Sequence, residues 1–497
     1  MDSVRKSREI LVNLDPDQRA AVTACKKTPL LVAAGPGAGK TRVLTHRIGW
    51  LVEHHGIPAG DVMALTFTNA AATEMGERLY HLIGAEAMRC RISTIHALAA
   101  RIVRSHAHLV GLTHEFTIFD AEAQKRMAAA VLEDGKADVE PTDLIREVSL
   151  AKSQLRDSVQ MKMDGRARLA QAYVAYDEAL KKANALDFEG LVVEAINILG
   201  HEAVVAGWRR SIGALLVDEF QDVSEAQFEL LRLLVGMDGT ALTVIGDEDQ
   251  SLYSWRGASV ALLTGFERHF PTCSVINLAR NYRSHQGIVT PAALLINHNE
   301  GRRDKDLSAV RPSTSTPRHV RFSSEESEAL GIVQWAKELL REGAPANELA
   351  VLLRVRSLPL KNELERALAG AAIAYHAVGS VTLWERSEVR DVLALFHLLS
   401  NDRHLPAFGR VFEQTKGLGA KATDAVLTVA KAEDLPPVNV CRDGMIDLGP
   451  KRNAAAMEFV ERFDHVASLS IEQYGFGGWV GQVIADWGFS ESWQKDD

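Results

Sequence analysis

Short apolar runs recur between residues 30 and 278, and each leads into a stretch with helical periodicity. The runs cover residues 30–33, 62–67, 91–96, 212–217, 241–245 and 273–278. Their length is typical of buried strands, and their alternation with helices predicts an α/β fold with a doubly wound parallel sheet. Ligands of such sheets collect at the carboxyl ends of the strands, so the polar residues after each run are the first candidates for a site.

Residues 120–184 interrupt this alternation. The pattern predicts helices near 121–136, 142–157 and 166–184, with no strand candidate between them. We interpret this stretch as an all-helical insertion.

The first apolar run leads into a glycine-rich turn that ends in Lys40 and Thr41. The strict phosphate-binding pattern has glycine where Ala34 stands, but the turn still offers exposed amides, a cation for phosphate oxygens and a hydroxyl for Mg²⁺. A glycine-rich turn kept only for strand-to-helix packing would leave Lys40 and Thr41 unexplained. The sequence therefore predicts a triphosphate cradle made of Ala34, Gly35, Pro36, Gly37, Ala38, Gly39, Lys40 and Thr41.

The run at 212–217 ends in Asp218 and Glu219. In a triphosphate site one carboxylate can face Mg²⁺, and the next can orient or deprotonate the attacking water. The alternative is a salt-bridged strand end. The presence of Lys40 and Thr41 favours the catalytic interpretation, because acidic groups are rarely tolerated against a buried strand without a cation.

Polar and aromatic residues follow several other strands. Gln250 is placed to sense a γ-phosphate, and Tyr253 and Trp255 beside Arg256 could stack single-stranded bases, although aromatic residues are more often core. Further candidates at strand ends, where capping is the alternative role, are Phe67, Thr68, Asn69, Thr94 and His96. Upstream of the cradle, Gln18 could contact adenine through its amide or could simply lie on a helix surface.

Composition narrows the class of protein. The 497 residues are 46% hydrophobic and 24% charged, which is typical of globular domains. A net charge of −9 argues against a generally basic nucleic-acid coat but leaves room for a local basic groove. The four cysteines form no Cys-x-x-Cys pair, and no run of about 18 apolar residues occurs, so we expect a cytoplasmic protein without a zinc site or membrane span.

Six motifs in order make the pattern specific. They are Gln18, Gly-Pro-Gly-Ala-Gly-Lys-Thr, Thr-Phe-Thr-Asn-x-Ala-Ala, Asp-Glu-Phe-Gln-Asp, Gly-Asp-Glu-Asp-Gln-Ser-x-Tyr-x-Trp-Arg-Gly-Ala and Asn-Tyr-Arg-Ser. The set resembles the UvrD/Rep/PcrA branch of superfamily 1 DNA helicases, strongly from about residue 13 into the 380s. The resemblance implies an ATP- and Mg²⁺-dependent, 3′-to-5′ single-stranded DNA translocase built from two RecA-like domains.

The resemblance also implies a role for each matching residue. In the nucleotide site, Gln18 would read adenine and Tyr282 would stack on it. Lys40 and Thr41 would hold phosphate and Mg²⁺, Asp218 would complete the metal site, and Glu219 would activate water. Gln250 and Arg42 would sense the γ-phosphate, and Arg283 would act as an arginine finger. Along the DNA, Phe67, Tyr253 and Trp255 would contact bases, and Thr94 and His96 would follow the backbone.

The implied domains are a first RecA-like ATP-binding domain at 1–110 and 185–277, with its helical insertion at 111–184. A partial second RecA-like domain, including a strand at 349–354, would follow at 278–380, and a partial helical insertion of that domain at 381–497. Two later family motifs, one bearing a second arginine, are missing from the sequence. We therefore expect a chain truncated before those motifs that binds ATP and DNA but unwinds poorly unless another polypeptide supplies them.

Two other functions stay open. The first is a DNA-binding ATP switch or subunit that clamps single-stranded DNA or a single-strand/duplex junction without processive motion. The second is a P-loop nucleotide kinase or other metabolic NTPase, against which the aromatic-bearing segment at 246–258 argues.

Overall fold

The computed structural model describes residues 10–135, 139–236, 241–299, 301–303, 305–312, 316–353, 358–377 and 387–489. The chain forms two compact units, one made of Met1–Thr314 with Arg390–Asp497 and the other of Ser315–Val389. The predicted α/β class is confirmed, whereas the four predicted domain boundaries stay a prediction.

A six-stranded parallel sheet lies at the centre of the first unit, with strand order β3-β2-β6-β7-β1-β8. Its strands are β1 (Leu30–Ala34), β2 (Val62–Thr66), β3 (Arg91–Thr94), β6 (Ala214–Val217), β7 (Leu242–Gly246) and β8 (Ser274–Leu278). Two smaller parallel pairs are β4 (Thr117–Ile118) with β5 (Ala185–Leu186), and β9 (Arg280–His285) with β10 (Ser308–Arg311). All six apolar runs therefore form strands of one sheet.

The helices of the first unit cover the sheet, form the insertion or follow the second unit. Those among residues 10–314 are Pro16–Thr23, Lys40–Glu53, Asn69–Ile83, Ile95–Ser105, Ala121–Asp134, Pro141–Ser153, Ser158–Met163, Ala167–Lys182, Phe188–Leu199, Glu202–Arg210, Glu225–Val235, Val260–Thr264, Phe266–His269 and Gln286–Ile296. Those near the carboxyl end are Ser387–Ser400, which belongs to this unit from Arg390 onward, Leu405–Glu413, Ala420–Ala432, Pro437–Arg442, Pro450–Ala467 and Ile471–Trp487.

Alternate residues of each strand enter different cores. Leu31 of β1 joins a cluster with helices Ile95–Ser105 and Phe188–Leu199, while its neighbours Leu30 and Val32 face the opposite cluster. Both faces of the sheet are thus buried, as expected for parallel strands. This arrangement leaves the carboxyl edge of the sheet, where β1, β6 and β7 end, as the place for polar chemistry.

The predicted helical insertion is present. Four helices from Ala121–Asp134 to Ala167–Lys182 pack around their own core, between the short strands β4 and β5. The predicted helix over 142–157 is broken after Ser153, and the next helix begins at Ser158 behind an Asp157 capping box.

The helices after residue 387 dock onto this insertion through buried polar contacts. The Asn401 amide donates to Thr117 Oγ1 at 3.1 Å and to the Ala183 carbonyl at 2.9 Å. The His404 ring lies 4.5 Å from the Phe119 ring, and its Nδ1 accepts the Ala407 amide at 3.0 Å.

The second unit contains helices Glu325–Arg341 and Leu358–Gly370, packed around a small core that includes Val333 and Leu364. The prediction of a strand at 349–354 is wrong for residues 349–353, which have no strand structure. Leu352 in this stretch is 93% exposed. Arg354 lies outside the described residues. Residues 316–353 and 358–377 contain no strand with which this apolar stretch could pair. Because a single strand without a partner is not stable, the stretch does not form one.

Among the described residues no single helix is long and apolar enough to cross a membrane. Helices Phe188–Leu199 and Glu202–Arg210 meet the length and composition requirement only together, across a 101° bend. The first of them is largely buried in the sheet core.

Candidate nucleotide and DNA site

The glycine-rich turn joins β1 to helix Lys40–Glu53 at the carboxyl edge of the sheet. Gly37 and Gly39 have φ of +68° and +81°, a region that favours glycine. A Cβ at Gly37 would lie 2.8 Å from the Asn281 side chain and 2.9 Å from Cβ of Arg283. Both observations fit a cradle in which bare backbone approaches a ligand.

Lys40, Glu219 and Gln250 meet at this turn. Lys40 Nζ lies 2.9 Å from Glu219 Oε2 and donates to Gln250 Oε1 at 3.4 Å. These residues come from three different parts of the chain, and the topology brings them together because β7 lies between β1 and β6. A lysine, a candidate base and a candidate sensor therefore meet at the turn.

Asp218 completes the acidic side of the pocket. The Thr41 side chain lies close enough to lower the pKa of this carboxylate, so the two predicted metal ligands are neighbours. Burial, and then the charge of Glu219, raise the pKa of Asp218 to about 6, against the opposing effects of the Glu219 amide, Lys40 and Thr41. A nearby cation such as Mg²⁺ stabilises the ionised form of a buried carboxylate whose pKa is raised.

The donor set fits Mg²⁺ bound together with a nucleotide. Among the described residues no cluster of three or more His, Cys, Asp or Glu side chains could hold a metal alone. Mg²⁺ commonly takes one or two protein oxygens and completes its shell with phosphate oxygens and water. Thr41 and Asp218 offer such a pair of hard oxygen ligands.

Glu219 is held in an unusual backbone conformation, with φ of +48° and ψ of +47°. Its carboxylate accepts from Gln221 Nε2 at 2.9 Å, and the side-chain oxygen Oε1 of Gln221 accepts from the Asp247 backbone amide at 2.9 Å. Gln221, which is 2% exposed, thus ties the ends of β6 and β7 together. Such a strained conformation persists where the surrounding contacts fix it.

Strand β9 crosses directly over the phosphate turn. The Tyr282 amide donates to the Gly37 carbonyl at 2.9 Å, and Asn281 Nδ2 donates to the Pro36 carbonyl at 2.6 Å. Arg283 is exposed, with its Cβ beside Gly37. The structure therefore brings the predicted arginine finger to the edge of the cradle within the first unit.

The predicted adenine contacts are engaged with the protein. Gln18 Nε2 donates to the Ala38 carbonyl at 3.0 Å, and Gln18 Oε1 accepts the Asp15 amide at 3.3 Å. The Tyr282 hydroxyl donates to the Asp15 carboxylate. Gln18 and Tyr282 thus lie on the same side of the cradle, and their adenine roles stay a prediction.

Arg42 follows Thr41 in the first helical turn. Its side chain is half-buried. Its predicted role as a γ-phosphate sensor stays a prediction.

The predicted base-stacking residues Phe67, Tyr253 and Trp255 form a partly exposed aromatic surface. The Phe67 and Tyr253 rings are stacked, with centroids 4.8 Å apart, although they are far apart in the sequence. Trp255 is 73% exposed, and the Arg256 guanidinium lies 5.8 Å from its ring centroid. Exposed aromatic rings beside a guanidinium suit base stacking better than core packing.

The remaining DNA candidates include two helix caps. Thr68 Oγ1 accepts the Ala71 amide at 3.1 Å, and Thr94 Oγ1 accepts the Ala97 amide at 3.2 Å. β3 consequently ends at Thr94, two residues earlier than predicted. Asn69 is exposed in the first turn of its helix and available to a ligand.

His96 is the second residue of helix Ile95–Ser105 and lies close to the charged side chains of Arg256 and Glu189. Burial, and then the charge of Arg256, lower the pKa of His96 to about 4. Its Nε2 lies 3.9 Å from Glu189 Oε1, and burial raises the pKa of Glu189 to about 7. His96 is therefore a neutral ring, and it packs edge-on against Phe188 with ring centroids 6.1 Å apart.

Several residues that organise the site were missed by sequence reasoning. Gln221 and Asn281 lie inside recognised motifs, but neither was given a role there. Lys305 lies in none of them, and its only sequence signal is a short basic stretch at 302–305.

Two family models and several characterised proteins match the chain. Residues 14–271 match the family model of the UvrD/REP helicase N-terminal domain, and residues 276–435 match that of the UvrD-like helicase C-terminal domain. The chain is 34% identical to ATP-dependent DNA helicase UvrD1 of Mycobacterium tuberculosis (strain ATCC 25618 / H37Rv) over 92% of its own length and 62% of the relative.

Two other relatives give similar values. ATP-dependent DNA helicase PcrA of Leuconostoc citreum is 33% identical over 91% of the chain and 62% of the relative. DNA helicase II of Escherichia coli (strain K12) is 32% identical over 92% of the chain and 64% of the relative. The chain thus spans less than two thirds of the length of these relatives.

Proposed function

Because the chain belongs to the UvrD/REP helicase family, we propose that it binds ATP and Mg²⁺ at the glycine-rich turn and couples ATP hydrolysis to movement along single-stranded DNA. The observation that carries the proposal is the meeting of Lys40, Glu219 and Gln250 beside the turn. Translocation in the 3′-to-5′ direction, a role in DNA repair or replication and a cytoplasmic location are parts of the same proposal.

The proposed reaction begins with an exchange of partners at Lys40. Bound MgATP supplies the phosphoanhydride bond that is cleaved. The amides of the turn and Lys40 hold the phosphates, and Thr41 and Asp218 hold the metal. When Lys40 turns from Glu219 to phosphate, the Glu219 carboxylate becomes free to accept a proton from water.

The proposed roles of the other residues follow from their positions. Gln221 keeps Glu219 oriented through the 2.9 Å hydrogen bond. Arg283, exposed above the turn, neutralises the charge that develops on the phosphoryl group during transfer. Gln250 senses whether this phosphoryl group is present and couples its presence to the conformation of the aromatic turn that follows Gln250 in the chain.

The proposed DNA contacts are with single strands and with single-strand/duplex junctions. Phe67 and Tyr253 would open their stacked pair to receive a base, and Trp255 with Arg256 would carry the next one. Thr68, Asn69, Thr94 and His96 would border the DNA backbone. This arrangement gives each base an aromatic partner and therefore needs no particular sequence.

Unwinding by residues 1–497 alone is a separate question. These residues contain neither of the two later family motifs, so we propose that a second arginine and the remaining strands of the second domain come from outside them, for example from another polypeptide. A second candidate function, a DNA-binding ATP switch or subunit that clamps DNA without processive motion, rests on this observation.

The test combines ATP turnover and single-stranded DNA binding by the 497-residue chain. The leading proposal predicts turnover that rises when single-stranded DNA is added. The clamp predicts DNA binding that requires ATP, with no such turnover. A chain that hydrolyses ATP equally well with and without DNA would contradict both.

A further inference from the structure

A short basic segment downstream of β9 is buried against the acidic turn after β7. Lys305 Nζ lies 2.6 Å from Asp247 Oδ1 and 2.7 Å from Glu248 Oε2, and the lysine side chain is only 2% exposed. The two carboxylates are 0% and 2% exposed. Burial alone would lower the pKa of Lys305, but Asp247 and Glu248 outweigh that effect, so the pKa is raised and the side chain is a cation.

The neighbours of Lys305 bind the same turn. Arg302 donates to both carboxylate oxygens of Asp249, at 3.0 Å and 2.9 Å. The Arg303 backbone amide donates to Glu248 Oε1 at 3.0 Å. One segment therefore engages three successive carboxylates, which would otherwise repel one another in a buried place.

Asp247 connects this cluster to the nucleotide site. Its Oδ1 accepts from Lys305, and its Oδ2 accepts from Gln250 Nε2. The Gln250 amide has a donor end and an acceptor end. Because the donor end is held by Asp247, the acceptor end faces Lys40.

The same segment also reaches the phosphate turn and the arginine strand. A Cβ placed on Gly35 would collide with Cδ2 of Leu307, so Leu307 lies directly on the turn. The chain then enters β10, which pairs in parallel with β9, where Arg283 is located. The segment is thus attached at one end to the Gln250 side of the site and at the other to the Arg283 side.

We propose that Lys305 is a positioning residue for ATP hydrolysis, which holds Asp247 so that Gln250 faces Lys40 and which links Gln250 to the strand that carries Arg283. The inference rests on the proposed function. Lys305 does not touch the nucleotide in this account. It acts through Asp247 and Gln250, and its loss should slow the chemical step without weakening nucleotide binding to the same degree.

The test is a double-variant cycle of Lys305→Met and Gln250→Ala, measured by single-turnover ATP hydrolysis with single-stranded DNA and by binding of a fluorescent ATP analogue. Lys305→Met should lower the hydrolysis rate by about 10- to 100-fold, the equivalent of one charge-assisted hydrogen bond. Nucleotide affinity should change less than about threefold, and Lys305→Arg should restore part of the rate, because the cation is kept.

In the Gln250→Ala background the same lysine substitution should cost little, since the connection is already cut. The matched control is Arg303→Met, which removes a neighbouring cation that pairs with Glu267 instead of Asp247. It should hydrolyse ATP like the wild type. If Lys305→Met does not fold, the Lys305→Met, Asp247→Asn, Glu248→Gln variant removes both buried carboxylates that pair most closely with the lysine and should show the same loss of rate.

Three results would overturn the inference. They are wild-type hydrolysis by the folded lysine variant, an equal loss of rate in both backgrounds, and a loss of affinity that accounts for the whole effect. A wild-type chain without any hydrolysis would instead contradict the proposed function, so the two failures are distinguishable.

Discussion

The most informative single substitution is Glu219→Gln, because it removes one charge and leaves the side-chain volume unchanged. In the structure Glu219 faces Lys40 at 2.9 Å and accepts from Gln221 at 2.9 Å. Glutamine can still accept the second of these bonds, but it cannot take a proton from water. A positioned general base contributes about 10²- to 10⁴-fold to a rate, equivalent to about 3–5 kcal/mol of barrier.

We therefore expect Glu219→Gln to slow single-turnover ATP hydrolysis by about 10²- to 10⁴-fold. Binding of a fluorescent ATP analogue should be nearly unchanged, because Lys40 and the amides of the turn stay in place. The matched control is Glu225→Gln, an exposed glutamate in the first turn of helix Glu225–Val235. Hydrolysis by Glu219→Gln within threefold of the wild type would refute the assignment of the base.

The same variant makes a second prediction through Asp218. The pKa of Asp218 is about 6, raised by burial and then by the Glu219 charge. Mg²⁺-dependent nucleotide binding needs the ionised carboxylate, so it should weaken as the pH falls through about 6 in the wild type. Removing the Glu219 charge should shift this midpoint to lower pH. An unchanged midpoint in a titration from pH 8 to pH 5 would show that the two carboxylates do not interact.

Three further predictions concern other parts of the molecule. Arg283→Ala should lower the rate of ATP hydrolysis at saturating ATP by about 10³-fold or more. The control Arg311→Ala should hydrolyse ATP at nearly the wild-type rate. A wild-type rate in Arg283→Ala would exclude an arginine-finger role. Trp255→Ala should weaken single-stranded DNA binding by about 10- to 100-fold, as expected for the loss of one stacking partner. The exposed Trp335 of the second unit gives the matched control, and equal losses in both variants would argue against a specific aromatic surface. Burial, and then the nearby His397, lower the pKa of His404 to about 3. The neutral ring therefore stabilises the folded state fully only above the ordinary pKa of 6.5. The free energy of unfolding should fall by about 2 kcal/mol between pH 7 and pH 5. His404→Asn keeps a capping acceptor for Ala407 and should flatten this part of the pH dependence of unfolding, whereas the exposed His465→Asn should not.

Local sequence signals accounted for the sheet and the phosphate turn. Each strand is a compact apolar run, and Gly37 and Gly39 occupy positions where the backbone conformation itself favours glycine. The end of β3 was misplaced because Thr94 turns to cap the following helix. A cap of this kind depends on a hydrogen bond that the apolar pattern does not encode.

The errors and omissions arose where structure depends on distant partners. Residues 349–353 have the composition of a strand, but a strand also requires a neighbour, and the described part of the second unit has none. Lys305 and Asp247 are 58 residues apart and form a buried ion pair that no local periodicity announces. Gln221 lay within a recognised motif, yet its role became visible only when β6 and β7 were seen side by side.

The central claim is that ATP is hydrolysed at the turn that carries Lys40, under the control of single-stranded DNA. Its most direct test is ATP turnover of the wild type and of Lys40→Ala, each measured with and without single-stranded DNA. We predict that DNA stimulates the wild type, while Lys40→Ala stays at background in both conditions because the phosphate-facing cation is gone. Turnover by Lys40→Ala equal to that of the wild type would contradict the account.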